Sequence, residues 1–422
     1  MSVVTIEGPC DVDRLRTWLA DLSPSVGVER ATAGEILVHS AADVGARITV
    51  PTALACDPTW WAAATVRRML RTVPDADSCG SPGLAGVLRD GEWFHPRVPD
   101  DGVVPANGVL LFKPGLLVGP EALTGLAERL AECGYIASRA RMVGGADIGR
   151  ENMAVDHYRP HIELARRGRL TPEERETFLR IYDRAEFVAR FGVSAHEADI
   201  VPAYVLVDEY GVPAEHLQAW SEESTRLRGL NSGAVDGPNE IGDCLFVNVF
   251  QQSGVLGGRP AVVLNPHIPG VVRALERTEN RVVSVLVAAY AEQALPWARM
   301  RREFCGTTDP SRALPGSLRG DAFAGLFPLR GADGTPVCRT NNGVHLSNGL
   351  VETLHDGRTW FGLRPEDTTT GRLLLTAGVS PELLGCSFVE LARRRHAISA
   401  VTDGLEYSEV VRILRRAQPL PC

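Results

Sequence analysis

The sequence Val109-Leu-Leu-Phe-Lys-Pro-Gly115 joins a short apolar run to two residues that end regular structure. A run of this length is typical of a buried strand, and the Pro-Gly pair stops it. From Pro120 to Cys133, leucines recur at helical spacing, and Gly134 fits the position just after a helix. Tyr135 to Val143 has the pattern of another strand. We therefore predict a strand–helix–strand unit with Lys113 at the mouth of a sheet, where ligand groups usually gather.

Lys113 is the only lysine of the chain, and the other 43 of the 44 basic residues are arginine. A background that replaces lysine almost everywhere makes the one remaining lysine a candidate functional residue. Its ammonium is a compact point charge, whereas a guanidinium is a planar fork, so a site that needs the first does not accept the second.

Charge and hydropathy exclude several classes of protein. The net charge is −8, from 44 basic and 52 acidic residues, which does not favour a nucleic-acid-binding surface. No apolar run is long enough to span a bilayer, and the N terminus lacks the basic and apolar regions of a signal peptide. We therefore expect a cytoplasmic protein that acts on small molecules, not on nucleic acids or membranes.

Two motifs in the second half of the chain add chemistry. They are Arg302-Glu-Phe-Cys-Gly-Thr-Thr308-Asp-Pro-Ser-Arg-Ala-Leu-Pro-Gly-Ser-Leu-Arg319-Gly-Asp321 and Asn342-Gly-Val-His345-Leu-Ser347-Asn348. Together with Leu111-Phe112-Lys113-Pro114, and in this order, they resemble the nucleoside diphosphate kinase family. That family has a strand ending in Lys-Pro, a gap-free Arg to Arg-Gly-Asp stretch, and an Asn-x-x-His-Gly-Ser-Asp signature. His157-Tyr158 is a weaker match to the family's His-Tyr pair.

The residue types suit phosphate binding even without the resemblance. Phosphoryl transfer needs positive charge around the transferring group, and Lys113, Arg302 and Arg319 supply it. Both guanidinium groups can bind phosphate oxygens in a bidentate manner. Thr308 and Asn342 add neutral hydrogen bonds to a phosphate or a sugar hydroxyl. We therefore predict that these five residues bind the nucleotide, and that Lys113 is also catalytic.

His345 is the candidate nucleophile, because a neutral imidazole nitrogen is nucleophilic at pH 7. Asp356 matches a family glutamate and is predicted to hold the imidazole in one tautomer. Ser347 is predicted to bond the phosphorylated ring or the departing phosphate. The resemblance adds Tyr158 as a nucleotide contact.

No metal bound by the protein itself is predicted. The resemblance implies that Mg²⁺ arrives with ATP or another nucleoside triphosphate. His157 and His161 have the i,i+4 spacing of a metal pair, but no acidic motif of the HExxH type accompanies them. We therefore set that interpretation aside.

The resemblance covers about 107–160 and 284–366 and implies an α/β (α+β) fold. Its core is a ferredoxin-like βαββαβ unit, with a four-stranded antiparallel sheet and helices on one face. We divide the chain into an N-terminal α/β domain, the first part of the core, an insertion subdomain, the second part of the core with the active-site histidine, and a C-terminal helical extension: 1–104, 105–161, 162–281, 282–366 and 367–422.

Local patterns predict elements inside the terminal segments. In the N-terminal domain they predict strands at 3–6 and 35–39 and helices at 12–22 and 60–73. In the C-terminal extension they predict helices at 386–396 and 407–416.

The base-binding side departs from the family pattern. The family clamps the base with an aromatic residue soon after His-Tyr, but Ile162-Glu-Leu-Ala-Arg-Arg-Gly168 has none, and Arg339 falls where the opposite apolar wall is expected. Phosphate-binding residues are kept while base contacts are not, which favours a changed substrate. The family is oligomeric, so a homo-oligomer stays open, although the insertion can cover the family's contact surfaces.

Three functions remain open. The first is a phosphotransferase that passes the γ-phosphoryl group of a nucleoside triphosphate through His345 to a nucleotide or a specialised acceptor. The second is a nucleotidyltransferase of specialised metabolism, in which attack occurs at the α-phosphorus and pyrophosphate leaves. The third is a nucleotide-binding module without turnover, which needs the cations but no nucleophile.

Overall fold

The computed structural model describes four N-terminal strands and most of the chain from residue 83 onward. The described ranges are 2–7, 27–32, 35–39, 47–51, 83–95, 103–252, 254–291, 294–332, 334–339 and 341–420. The chain is mixed α/β, with helices and several antiparallel and mixed sheets.

The strands follow one another along the chain in this order: β1 (Ser2–Glu7), β2 (Gly27–Thr32), β3 (Glu35–His39), β4 (Arg47–Pro51), β5 (Glu92–Phe94), β6 (Gly108–Phe112), β7 (Leu116–Val118), β8 (Tyr135–Gly144), β9 (Asp199–Pro202), β10 (Asn239–Gly242), β11 (Leu245–Phe250), β12 (Ala261–Leu264), β13 (Arg281–Ala289), β14 (Leu329–Gly331), β15 (Val344–Leu346), β16 (Phe388–Leu391), β17 (Arg394–Ala397) and β18 (Gln418–Pro419).

The α-helices of the described residues are α1 (Val87–Asp90), α2 (Pro120–Glu132), α3 (Gly145–Arg150), α4 (Met153–His157), α5 (Arg159–Arg166), α6 (Pro172–Tyr182), α7 (Ala185–Phe191), α8 (Ala203–Asp208), α9 (Ala214–Arg228), α10 (Ile268–Glu276), α11 (Trp297–Arg299), α12 (Leu318–Phe323), α13 (Leu350–Phe361), α14 (Thr369–Thr376), α15 (Pro381–Gly385), α16 (Ile398–Val401) and α17 (Tyr407–Leu414). Within the described part of the chain, no helix is long and apolar enough to cross a membrane.

The N-terminal strands form a mixed sheet in the order β2-β3-β1-β4. β1 pairs antiparallel with β3 and parallel with β4. The strands predicted at 3–6 and 35–39 are confirmed. The helices predicted at 12–22 and 60–73 lie outside the described residues.

The central sheet has the order β15-β6-β13-β8-β5, and all its pairings are antiparallel. The predicted strand–helix–strand unit is confirmed as β6, α2 and β8. The sheet holds one strand more than the four predicted, because the short strand β5 pairs with the outer side of β8. This sheet carries the candidate site on β6 and β15.

Both faces of the central sheet are covered, whereas the prediction had helices on one face. Side chains alternate along a strand, so β6 packs Leu110 and Phe112 into one core and Val109 and Leu111 into another. The first core contains α2. The second contains residues of α13 and of the helices and strands between 145 and 281. The segment 162–281 therefore covers the second face together with α13 and the helices α3 and α4.

The segment 162–281 forms its own four-stranded mixed sheet, in the order β10-β11-β12-β9. Helices α6 and α7 pack against one face of this sheet, and α8, α9 and α10 pack against the other. The helix α6 begins at the predicted capping box, in which the Thr171 hydroxyl accepts from Glu174 N and the Glu174 carboxylate accepts from Thr171 N. Helices α9 and α10 pack against each other beside the central sheet.

The C-terminal extension is not purely helical. The predicted helix at 407–416 is confirmed as α17, but 386–396 forms the antiparallel hairpin of β16 and β17 instead of a helix. Ala392 and Arg393 adopt positive φ angles of 52° and 62°, which close a tight two-residue turn between the strands. Two consecutive left-handed residues are incompatible with an α-helix.

Candidate functional site

A cavity of about 400 Å³ lies between the central sheet and the insertion. A volume of this size is typical of small-molecule sites. Lys113, Asn342 and His345 line it from the core, while residues of α9 and α10 line it from the insertion. Tyr158 and Thr308 also line it. Five of the predicted site residues therefore meet at one cavity.

The position of His345 follows from the sheet register. His345 lies directly opposite Leu111 of β6, so their side chains share the face that carries α13 and the insertion. Nε2 of His345 lies 3.3 Å from Oδ2 of Asp356 and 3.9 Å from Oε1 of Glu352. Burial lowers the pKa of His345 to about 4, with Asp356 opposing the shift. The imidazole is therefore neutral near pH 7.

Asp356 is at the centre of a hydrogen-bonded cluster. Its side chain is 2% exposed, and its two oxygens accept from three groups. His157 Nδ1 lies 2.7 Å from Oδ1, and the Ser347 hydroxyl donates to Oδ2 at 2.7 Å. Burial opposes ionisation, but His157 and the hydrogen bonds from both histidines hold the pKa of Asp356 below its usual range. Asp356 is therefore an ionised acceptor that orients two imidazoles.

Ser347 differs from its predicted role. Its hydroxyl is fully buried, accepts from Val109 N at 3.0 Å and does not line the cavity. In this arrangement Ser347 supports Asp356 and has no direct access to a phosphorylated ring.

Lys113 follows β6 at the edge of the cavity. Its backbone N–H donates to Gly343 O at 3.0 Å, which ties the end of β6 to the loop before His345. Burial, assisted by Arg319, lowers the pKa of the Lys113 ammonium to about 8. No carboxylate of the described residues forms an ion pair with it. A partly buried, unpaired ammonium is a ready partner for a phosphate.

Asn342 and Thr308 lie side by side at the same end of the cavity. The Asn342 amide donates to Thr308 O at 3.1 Å, and its Oδ1 is buried without a partner among the described residues. The amide is thus held in place from one side. Its unsatisfied oxygen is suited to a donor such as a sugar hydroxyl.

Tyr158 caps α4 and lies against His157, with ring centroids 4.7 Å apart. Burial raises the pKa of its phenol to about 12. The phenol therefore stays protonated at neutral pH and can donate a hydrogen bond into the cavity.

The two predicted phosphate-binding arginines do not line the cavity. The Arg302 side chain is 66% exposed and pairs with Glu303 at 2.9 Å, within a π-helical segment that directs it outward. Arg319 donates to the backbone oxygens of Val344 and Gly306 at 2.6 and 2.8 Å. These bonds brace the loop around His345. Arg339 lines the cavity instead.

Several residues of the site escaped sequence analysis. Glu352 lies one helical turn before Asp356, and burial together with Asp356 raises its pKa to about 8. His157 was noted in the sequence only beside Tyr158 and His161, and nothing local indicated its contact with Asp356.

The insertion contributes Gln218 and Glu222 to the cavity wall. The only sequence pattern that pointed to them is their i,i+4 spacing, which places both residues on one face of a helix.

Ligand atoms of His157, His345 and Asp356 lie within 4.8 Å of one another, close enough to share a metal ion. Both Asp356 oxygens already accept short hydrogen bonds from protein groups. We therefore interpret the cluster as a hydrogen-bonded triad. His161, the other half of the metal pair considered from the sequence, is not part of it.

Comparison with known proteins found no family model that matches this chain and no match among curated proteins. The function must therefore be argued from the chemistry of the site.

Proposed function

We propose that this protein is a phosphotransferase similar to nucleoside diphosphate kinases. It transfers the γ-phosphoryl group of a Mg²⁺-bound nucleoside triphosphate to His345 and then to a nucleotide or a specialised acceptor. One observation carries the proposal: a neutral imidazole, held at Nε2 by a buried carboxylate, lines the same cavity as an unpaired ammonium.

The triad defines which nitrogen attacks. With the proton of His345 on Nε2, donated to Asp356, the lone pair of the ring is on Nδ1. Nδ1 has no hydrogen-bond partner among the described residues. Attack by Nδ1 on the γ-phosphorus forms the N–P bond and breaks the bond to the bridging oxygen, and the nucleoside diphosphate leaves. Asp356 stabilises the positive charge that develops on the ring.

The fold supports a kinase-like core. Counting β6, β8, β13 and β15 as strands one to four, their order in the sheet is 4-1-3-2, with α2 between the first two. This order is compatible with a ferredoxin-like βαββαβ core. β5 then extends the sheet at one edge.

The charges of the cavity support a nucleotide that brings its own Mg²⁺. Lys113 and Arg339 line the cavity, and Glu222 is the only carboxylate among its described lining residues. One carboxylate, from the insertion wall, is too few for a Mg²⁺ site built by the protein alone. Bound Mg²⁺ would neutralise phosphate charge beside Lys113.

The test is labelling of the purified protein with ATP or GTP that carries ³²P at either the γ or the α position, with Mg²⁺. We expect acid-labile, base-stable γ-label on the wild type and none on His345→Ala. His196→Ala, which removes an exposed histidine, is the matched control and should label normally.

Absence of γ-label on the wild type would overturn the phosphohistidine route. α-Label in a small-molecule product would then favour nucleotidyl transfer with release of pyrophosphate. Nucleotide binding without label anywhere would favour a binding module.

A further inference from the structure

We propose that the insertion forms the base-binding half of the site and selects guanine, through the carboxylate of Glu222. This inference rests on the proposed function, because it assumes that a nucleotide places its phosphates at Lys113 and His345. The geometry of the cavity assigns the other end of the nucleotide to the insertion.

The cavity has two walls that differ in their charged groups, with Lys113 and Arg339 on the core side and Glu222 on the insertion side. The core wall presents Lys113, Asn342 and His345. For the γ-phosphorus to reach His345, the polyphosphate must lie along this wall. The nucleoside then extends toward the insertion, which supplies the remaining lining.

The insertion wall also presents apolar side chains. Phe246, Val271 and Leu275 face the cavity there. An aromatic ring and branched aliphatic side chains provide the flat apolar contact that a nucleobase needs. This wall replaces the aromatic clamp that is missing between residues 162 and 168.

One face of α9 carries four of the polar groups of this wall, and His267, just before α10, is another. Gln218, Ser221, Glu222 and Thr225 are spaced i, i+3, i+4 and i+7, and all four line the cavity. The Gln218 amide donates to Glu222 Oε1 at 2.9 Å, which orients the carboxylate. No cation of the described residues pairs with Glu222.

A carboxylate without a cation partner repels phosphate groups, because like charges repel. In a nucleotide site it therefore indicates the end of the cavity that does not hold the phosphates. It is an acceptor only, with two oxygens that can take two parallel hydrogen bonds. Among the common bases, guanine alone presents two neighbouring N–H donors on one edge, at N1 and at the 2-amino group. The second N–H of the Gln218 amide remains for the guanine O6.

Other bases satisfy Glu222 less well. Adenine and cytosine offer one amino group beside an acceptor nitrogen, and uracil offers one N–H between two carbonyls. Each would leave a carboxylate oxygen unpaired, or place it against a lone pair. A bidentate pair lost in this way corresponds to about tenfold to a hundredfold in affinity.

The experiment measures half-saturating concentrations for γ-³²P labelling of His345 by GTP, ITP and ATP. We expect GTP to saturate at least about tenfold below ATP, with ITP in between because it lacks the 2-amino group. Glu222→Gln should raise the GTP value about tenfold and lower the ATP value, because the new amide can accept from the 6-amino group of adenine and donate to its N1. It should also improve use of XTP, whose 2-carbonyl can accept from the new amide.

Glu223→Gln is the matched control, because Glu223 is exposed on the next position of α9 and pairs with Arg226. Glu223→Gln should keep the wild-type preference for GTP over ATP. Equal saturation of the wild type by GTP and ATP, or a preference for ATP, would overturn the inference while leaving the phosphotransferase intact. This comparison needs no variant, so it stands even if Glu222→Gln misfolds.

Equilibrium dialysis of the wild type with labelled GDP and ADP separates the two proposals. If no triphosphate labels His345, tighter binding of GDP still supports guanine selection, and equal binding overturns it.

Discussion

The carboxylate of Asp356 holds His345 by Nε2, at 3.3 Å, and thereby leaves Nδ1 of the same ring without a partner among the described residues. The two residues are eleven positions apart, one on β15 and the other on α13. Because Asp356 also accepts from His157 and Ser347, its position is fixed from three sides. The direction of the His345 lone pair is therefore decided by a carboxylate that does not line the cavity.

Replacing that carboxylate tests the tautomer. In Asp356→Asn the amide can donate to Nε2, which moves the ring proton to Nδ1 and blocks the attacking lone pair. We expect γ-labelling of His345 to slow by about 10²-fold or more, measured by rapid quench. Asp90→Asn, at an exposed surface pair, is the control. A normal labelling rate in Asp356→Asn would disprove this role.

Sequence and structure disagree about which arginine binds the triphosphate. The sequence motif predicts Arg302, whereas Arg339 lines the cavity. Arg339→Ala removes a cation from the cavity, and we expect the half-saturating triphosphate concentration to rise about tenfold. Arg302→Ala breaks only an exposed pair with Glu303 and should change that value less than about twofold. The reverse ranking would show that Arg302 turns inward when the nucleotide binds.

Under the proposed function, we expect Lys113 to set the alkaline limit of activity. Its pKa is lowered to about 8, so the protein without bound nucleotide loses this cation as pH rises through that value. We expect kcat/KM for the triphosphate to fall above pH 8, far below the usual range for lysine. Lys113→Arg keeps its charge at high pH, so its activity, though lower, should not fall there. A wild-type profile that is flat to pH 10 would contradict the assignment.

We expect Glu352 to make the stability of the fold depend on pH. Its pKa is raised from 4.5 to about 8, so between these values the folded protein retains a proton that the unfolded chain has released. Stability is therefore lost as pH rises through this window, by an amount on the order of a few kcal/mol. Glu352→Gln keeps an acceptor for the backbone N–H of Asn348 and removes the titration.

Thermal unfolding at pH 5 and pH 8.5 measures this effect. The Tm of Glu352→Gln relative to the wild type should be higher at pH 8.5 than at pH 5, by at least about 2 °C. Glu366→Gln, at an exposed position, should show no such change. A difference in Tm that does not vary with pH would mean that Glu352 is ionised in the folded protein.

Local patterns predicted the elements that depend on neighbours in sequence. The strand at 109–112, the helix after Pro120 and the capping box at Thr171 follow from apolar spacing, Pro and Gly signals and short-range hydrogen bonds. The hairpin at 388–397 was missed because its apolar spacing also fits a helix. Its turn depends on two left-handed residues, Ala392 and Arg393, that carry no glycine signal.

Sequence alone determined the strand–helix–strand unit, the single lysine at its first strand end and the order of the motifs around His345, because each is local. Tertiary structure decided what those residues touch. It brought His157 to Asp356 across 199 positions, turned Arg302 outward and put Glu222 of the insertion into the cavity wall. Such contacts depend on how sheets and helices pack over long separations, and no short-range pattern encodes that packing.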